Sequence, residues 1–387
     1  MKKLVEYKNL KIERDSMILN KSKLTIATFS LIGITMTTSD YALADGNWTE
    51  RIKINGDFRY RYEFTDQEAK VNRHRNRLRL RLGIHAQVND DIEIGAMLAT
   101  GSDDPTSTNQ SFDNQSSTKD IRLDQAYFAW KPLSGLAVKG GKFKNPFYRP
   151  LESTLLWSSD MRPEGVALQY KKSDFFANAS FFYLEERTED DDSLMVGGQV
   201  GYQTKISGTK LTIGTSFFDY EEMKGRPLSD FDFLDKMGNS FGNTLNADGN
   251  FVTDYREWEV FGDITFKVGG MPLSLFADYV INTAAEDEVS DDDTAYLVGF
   301  KIGAANKKPG AWDFRYDYRR VESDALFGVF SDADFVGAGT DGKGHVLNFG
   351  YQIAKGWKFA VTYFMNNESL EDGLDFERVQ VDLKFKF

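Results

Sequence analysis

The chain has 387 residues, 47 Lys/Arg against 59 Asp/Glu for a net charge of −12, and no cysteine. The missing cysteine excludes a disulfide scaffold, thiol catalysis and thiolate metal sites, and a pI near 5.0 argues against nucleic acid as a partner. Length alone fits two or three soluble domains, or one longer all-β unit.

In chain order, the first element is the only long apolar run, Leu24 to Thr37. Lys21 and Lys23 precede it and Ala42-Leu43-Ala44 follows. A basic segment, a short apolar core and a small-residue site describe a secretory signal peptide cut before Asp45. The run is short of the ~20 residues a membrane helix needs. Met17 offers a second start behind the basic, non-apolar stretch Met1 to Ser16. The expected organisation is a signal peptide over 1–44 and a single unit over 45–387. The leader holds seven Lys/Arg and four Asp/Glu, which leaves −15 on the 343 residues after it. With no further apolar helix of spanning length, that unit is soluble or is a barrel whose polar residues face inward.

Alternation decides between the two. Ile52, Ile54, Phe58, Tyr60, Tyr62 and Phe64 alternate with Lys53, Asn55, Asp57, Arg59, Arg61 and Glu63. Leu78, Leu80, Leu82 and Ile84 then alternate with Arg75, Arg77, Arg79 and Arg81. Further segments follow near 91–100, 121–131, 135–144, 164–172, 174–184, 194–204 and 208–218. The series continues at 255–268, 272–282, 294–304, 310–321, 345–354 and 356–366. The last segment, 376–387, sets Val379, Val381, Leu383, Phe385 and Phe387 against Gln380, Asp382, Lys384 and Lys386. A period of two over about ten residues is the strand signature of a membrane barrel. The count is sixteen. Segments 121–131 and 174–184 are apolar on both faces, so the pattern leaves their orientation open.

The connections add a second regularity. Those at 101–120, 145–163, 219–254 and 322–344 are long, and 185–193 and 283–293 are shorter and acidic. Between them lie tight turns such as Asn89-Asp90, Pro132-Leu133-Ser134 and Gly269-Gly270-Met271. Strict alternation means adjacent antiparallel strands with two unlike ends, long outer loops and short periplasmic turns. The expected fold is therefore an all-β, 16-stranded antiparallel transmembrane β-barrel with both termini at the periplasmic end. A secreted sandwich has no reason to keep that parity, and 343 residues cannot supply the ~22 strands and plug of a larger transporter barrel.

Several stretches resemble the Putative porin family of Gram-negative outer membranes, a relative of the phosphate-selective and general porins. They are Leu123-Asp124-Gln125-Ala126-Tyr127, Gly141-Lys142-Phe143-Lys144-Asn145-Pro146-Phe147 and Trp157-Ser158-Ser159-Asp160-Met161-Arg162-Pro163-Glu164-Gly165. A fourth runs from Ser331-Asp332-Ala333-Asp334-Phe335 through Gly339-Thr340-Asp341-Gly342-Lys343-Gly344-His345. The aromatic-ended last strand also resembles outer-membrane barrels, in which that end is read by the barrel-assembly machinery. The resemblance implies an outer-membrane porin that passes small hydrophilic solutes or ions, set in lipid and lipopolysaccharide, with a homotrimer implied by the general porins. It names no solute. An anion- or phosphate-preferring channel, or a non-conducting structural or adhesive barrel, remains open.

Sixteen strands leave an aqueous lumen, so selectivity would rest on lumen charges and on any loop folded inward. In general porins the third outer loop makes the eyelet, and here 145–163 is the expected constriction. It carries Arg149, Glu152, Asp160 and Arg162, with Glu164 just after. The first two strands supply Arg59, Arg61, Arg75, Arg77, Arg79 and Arg81 as a basic wall that would attract anions or oppose Glu152 and Asp160. The acidic runs Glu185 to Asp192 and Glu286 to Asp293 fit no defined calcium loop and read as solvated loop faces. His74, His85 and His345 are the only histidines, and Asp66 near His74 is the one pairing that could suggest catalysis. No enzyme activity, cofactor or metal is expected.

Overall fold

The computed structural model describes residues 48–285, 292–306 and 308–387. The leader expected over 1–44 and most of the acidic run 286–293 lie outside them. Sixteen wall strands are present: β1 (Ile52–Gln67), β2 (Arg73–Gln87), β3 (Ile92–Thr100), β4 (Ile121–Leu133), β5 (Leu136–Lys142), β6 (Glu164–Lys172), β7 (Phe175–Glu185) and β8 (Ser193–Ile206). They continue as β9 (Thr209–Glu221), β10 (Tyr255–Val268), β11 (Met271–Asn282), β12 (Thr294–Gly303), β13 (Trp312–Val321), β14 (Gly342–Ala354), β15 (Trp357–Glu368) and β16 (Leu374–Lys386). Each pairs antiparallel with its neighbours in the chain, and β16 pairs with β1 from Asp57↔Lys386 to Gln67↔Phe376. The sheet is therefore closed. Closure leaves no unpaired backbone edge, which is the condition for strands to span hydrocarbon.

The alternation seen in the sequence becomes the inside and outside of this wall. Outward positions carry Leu80, Leu82, Ile84, Ile94, Leu98, Val166, Val200, Val260 and Val298, all exposed. Aromatic residues collect at both ends of that band. Trp357 stacks on Phe385 at 5.5 Å at the turn end, while Tyr316 and Tyr318 surround His345 at the loop end. An apolar belt with two aromatic girdles is what a lipid-facing surface requires.

Inward positions differ around the circumference. On β1, β2 and β16 they are charged. From β7 to β12 polar residues such as Gln199, Ser216, Glu259 and Asp278 share the inner face with large apolar ones: Phe182, Met195, Phe218, Tyr220, Tyr255, Val280 and Leu297 are all buried. They are buried because the long loops fold into the barrel. These are L3 (143–163), L5 (222–254), which holds the short helix α1 (Asp232–Met237), and L7 (322–341). Trp157 of L3 lies parallel to Phe330 of L7 at 6.0 Å and edge-on to Phe218 of β9 at 5.2 Å. Phe327 of L7 packs near Phe251 of L5 and Tyr255 of β10. The lumen thus contains a hydrophobic core of its own, and only part of the cross-section is left for water.

Candidate pore and constriction

The arginines of β2 stand on alternate residues, so their Cα atoms are about 6.6 Å apart along the strand. Arg73, Arg75, Arg77, Arg79 and Arg81 form a ladder down the inner wall, with Arg59 and Arg61 beside them on β1 and Arg378 across the seam on β16. Carboxylates hold most of them. Arg61 grips Asp382 through two hydrogen bonds of 2.7 and 2.9 Å and reaches Asp334 of L7 at 3.3 Å. Arg378 meets the same Asp334 at 3.1 Å. Arg75 and Arg77 share Glu63, the latter at 3.6 Å. Arg79 and Arg81 share Asp57 at 2.8 and 2.7 Å. Glu93 of β3 sits apart from this ladder, 3.6 Å from His85.

Two of the eight differ. Arg59 is buried yet has no carboxylate within ion-pair distance among the described residues; its guanidinium donates to the Asn109 side chain at 2.5 Å, and its Nε has no partner. Arg73 is exposed and likewise without an ion pair.

L3 leaves the wall at β5 and crosses the whole lumen. Tyr148 donates to Asp263 of β10, and its backbone N–H to Gln199 of β8 at 2.7 Å. Leu151 and Glu152 follow with φ of 47° and 62°, the left-handed region that non-glycine residues adopt at a cost of roughly 1–3 kcal/mol each. This bend lets Ser153 donate to Asp278 of β11 at 2.7 Å and Thr154 to Asp332 of L7 at 2.8 Å. Asp332 in turn holds Arg319 of β13 at 2.9 Å. The loop then returns, and Asp160 meets Arg81 at 3.1 Å and Arg79 at 3.5 Å. Burial alone would push the Asp160 carboxyl up, but the guanidiniums of Arg79, Arg81, Arg59 and Arg162 hold it down at about 2. The same contest leaves Asp334 well below the usual carboxylate range, with Arg61 and Arg378 overcoming its burial.

The remaining loop residues named from sequence are placed less uniformly. Arg149 donates to the Trp157 carbonyl at 2.8 Å, so it braces L3 from within, and burial draws its guanidinium pKa down. Arg162 bonds Asp124 at 3.2 Å and the carbonyls of Ser159 and Met161. Asp124 reaches it because β4 carries an extra residue opposite Met97 and Leu98 of β3; a bulge of this kind re-aims a side chain. Glu152 is exposed at the bend. Glu164 stands at the rim: it shares its strand face with Val166, Leu168 and Tyr170, all outward and exposed, pairs with Lys142 at 2.6 Å, and with Lys142 borders the cavity that holds Asp160 and Arg162. The Asp66–His74 pairing is also absent, since His74 bonds the Tyr62 hydroxyl at 2.8 Å. The acidic run Glu185 to Asp192 is partly held rather than free, with Asp190 on Arg226 at 2.5 Å and Asp192 on the Arg187 N–H at 2.9 Å.

Two cavities open at the loop end on either side of Asp104, Asp160 and Phe233. One, of about 630 Å³, lies against β3 to β7 and includes Asp124, Arg162, Phe231 and Phe330. The other, of about 560 Å³, lies against the arginine wall and includes Arg59, Arg73, Arg75, Arg77 and Arg378. Phe233, Phe241, Asn109, Asp332 and Asp334 come from L2 (101–120), L5 and L7. Sequence periodicity gives no signal for such loop residues, although Asp332 and Asp334 fall in the stretch Ser331 to Phe335.

A closed sixteen-stranded wall, apolar outside and charged inside, with a loop strung across its lumen, defines a porin of the outer membrane. The chain belongs to the Putative porin family, whose match covers residues 65–254 and 273–387, and it is accordingly a channel for small solutes. The family and its fold are those of channels. Solved structures of similar fold include OprB of Pseudomonas putida in its high-pH form, at 12% identity and TM-score 0.60 over 88% of this chain and 95% of that one. OmpT of Vibrio cholerae, in its trimer form, is 12% identical with TM-score 0.51 over 87% and 99%. A triple mutant of Rhodopseudomonas blastica porin is 11% identical with TM-score 0.50 over 87% and 100%. At these identities the likeness is one of fold. No curated protein matches the sequence.

Proposed function

We propose that this porin is a passive channel biased toward anions, with L3 as its constriction and the wall of β1, β2 and β16 as its charge filter. The observation that carries this is an imbalance. Eight arginines (Arg59, Arg61, Arg73, Arg75, Arg77, Arg79, Arg81 and Arg378) line that wall, and five carboxylates (Asp57, Glu63, Asp160, Asp334 and Asp382) lie within ion-pair distance of them. The surplus is positive and lies in a narrow, low-dielectric passage, where unbalanced charge raises the local concentration of its counter-ion. Arg149 and Arg162 would act through the shape of L3, because their donors are engaged by the loop's own carbonyls and Asp124.

Purified protein in a planar bilayer under a KCl gradient tests the reading. The expected reversal potential lies on the chloride side of zero, and the Arg77→Glu/Arg79→Glu double variant moves it to the potassium side. A wild-type reversal potential at zero would leave an unselective channel. Three copies per particle in detergent would agree with a trimer, the form in which OmpT is described, within a membrane whose outer leaflet is lipopolysaccharide. Insertion would begin from recognition of β16 by the assembly machinery, as the family resemblance implies.

A further inference from the structure

The cavity of about 560 Å³ at the outer mouth has two unlike walls. Resting on the porin reading, we propose that it is a recognition site for aromatic carboxylates, which this channel takes up in preference to aliphatic anions of the same charge. The basic wall offers Arg59 and Arg73, the two of its eight guanidiniums without an ion pair among the described residues. Arg59 is the informative one, because a buried guanidinium held by a single neutral amide, with its Nε unbonded, is incompletely satisfied. Guanidinium and carboxylate match in a planar, two-point geometry, so a carboxylate entering here gains what the protein itself leaves unfilled.

The facing wall is apolar and comes from L5. Phe233 of α1 and Phe241 stack with centroids 5.8 Å apart and planes 18° from parallel, and both line the cavity beside Met237. Met237 is 52% exposed. These three side chains sit in a loop above the lumen, away from the lipid belt, so the membrane does not account for their exposure. A flat ring placed against them gains an aromatic contact beyond its burial. Of the cavity's carboxylates, Asp160, Asp332 and Asp334 are each tied to an arginine, while Asp104 accepts from Thr106 and Glu368 from Gln67, and Lys70 adds a further cation to the lining. The volume also falls in the ~300–1,000 Å³ range of small-molecule sites. One charged end and one flat apolar end, across a single cavity, select a ligand with the same two ends.

The test uses the full-length porin in a planar bilayer in KCl, with sodium benzoate, sodium acetate and sodium cyclohexanecarboxylate added in turn. Benzoate should interrupt the current at about tenfold lower concentration than acetate, the ratio given by a stacking gain near 1.4 kcal/mol. In Phe233→Ala/Phe241→Ala that advantage should vanish while the KCl reversal potential stays in place. If the double variant fails to insert, Phe233→Leu keeps the apolar volume, removes the ring, and should lose most of the same advantage. Equal behaviour of benzoate and acetate, or an unchanged advantage in the ring variants, overturns the proposal. Cyclohexanecarboxylate matching benzoate would overturn its aromatic part. The KCl conductance measured first separates the two failures, since a conducting wild type without benzoate preference sinks only this site, and no conductance sinks the porin reading beneath it.

Discussion

Around β1, β2 and β16 the lumen is lined with guanidiniums and carboxylates; around β7 to β12 a cluster of aromatic and aliphatic side chains packs among buried polar groups. Both linings rest on the same barrel wall, and both are inward-facing by the same alternation. They differ in what the loops bring to them. L3, L5 and L7 carry Trp157, Phe231, Phe251, Phe327 and Phe330 to one side, where apolar wall residues receive them and water is expelled. To the other side they bring Asp160 and Asp334, which bind arginines but leave some of the positive charge uncompensated. One side of the lumen is thus closed by packed side chains, and a cavity of about 560 Å³ opens against the arginine wall on the other.

The contrast makes predictions of decreasing size. Trp157→Ala empties a site that is 2% exposed at the centre of the packed half, and should cost about 3–5 kcal/mol. Unfolding midpoints in detergent would register this, with larger and noisier conductance as the loops loosen. Arg73→Ala, in the open half, should stay within about 0.5 kcal/mol. Equal losses from the two variants would break the distinction between the halves. Next, Asp160→Asn removes the carboxylate shared by Arg79 and Arg81, at a cost of roughly 1–3 kcal/mol. It should shift the reversal potential further to the chloride side; a shift toward potassium would show that Asp160 does not offset the wall.

The same carboxylate also sets a pH dependence. Asp160 is held at about 2 in the folded protein against an ordinary 3.8. Because folding lowers this pKa, its stabilisation is fully present above pH 4 and fades as pH falls from 4 through 2. The difference corresponds to about 2 kcal/mol. Stability attributable to this residue, measured as wild type minus Asp160→Asn, should be flat from pH 8 to pH 4 and shrink below it. A loss already complete at pH 5 would contradict the arginine clamp.

Much of this was legible from alternation alone. All sixteen strands lie where the period-two pattern places them, because the wall has one lipid face throughout and lipid enforces apolarity on every second residue. The two segments that resisted orientation, 121–131 and 174–184, are instructive. The inner face of β7 is apolar at Phe176 and Phe182 because Phe182 packs against Phe143 and Phe147 at 5.9 and 6.3 Å. A segment facing lipid on one side and a loop-built core on the other shows no alternation. Glu164, at the first residue of its strand, shares an outward face yet borders the cavity of about 630 Å³, a rim position that only the register with β5 reveals. The anchors of L3 were beyond reach. Ser153 and Asp278 are 125 residues apart, and Thr154 and Asp332 are 178 apart, and neither separation leaves a local pattern.

The seam between β1 and β16 has a meaning in time as well as space. Arg61 and Asp382, bonded across it, are separated by 321 residues. During synthesis β1 is made early, and its second neighbour is made only after fourteen further strands. Any sheet formed before β16 is available keeps a free edge on β1 able to pair with another extended chain, and contacts this distant in sequence form slowly. A chain cut short before its last strand would therefore give an open, adhesive sheet rather than a slightly smaller pore.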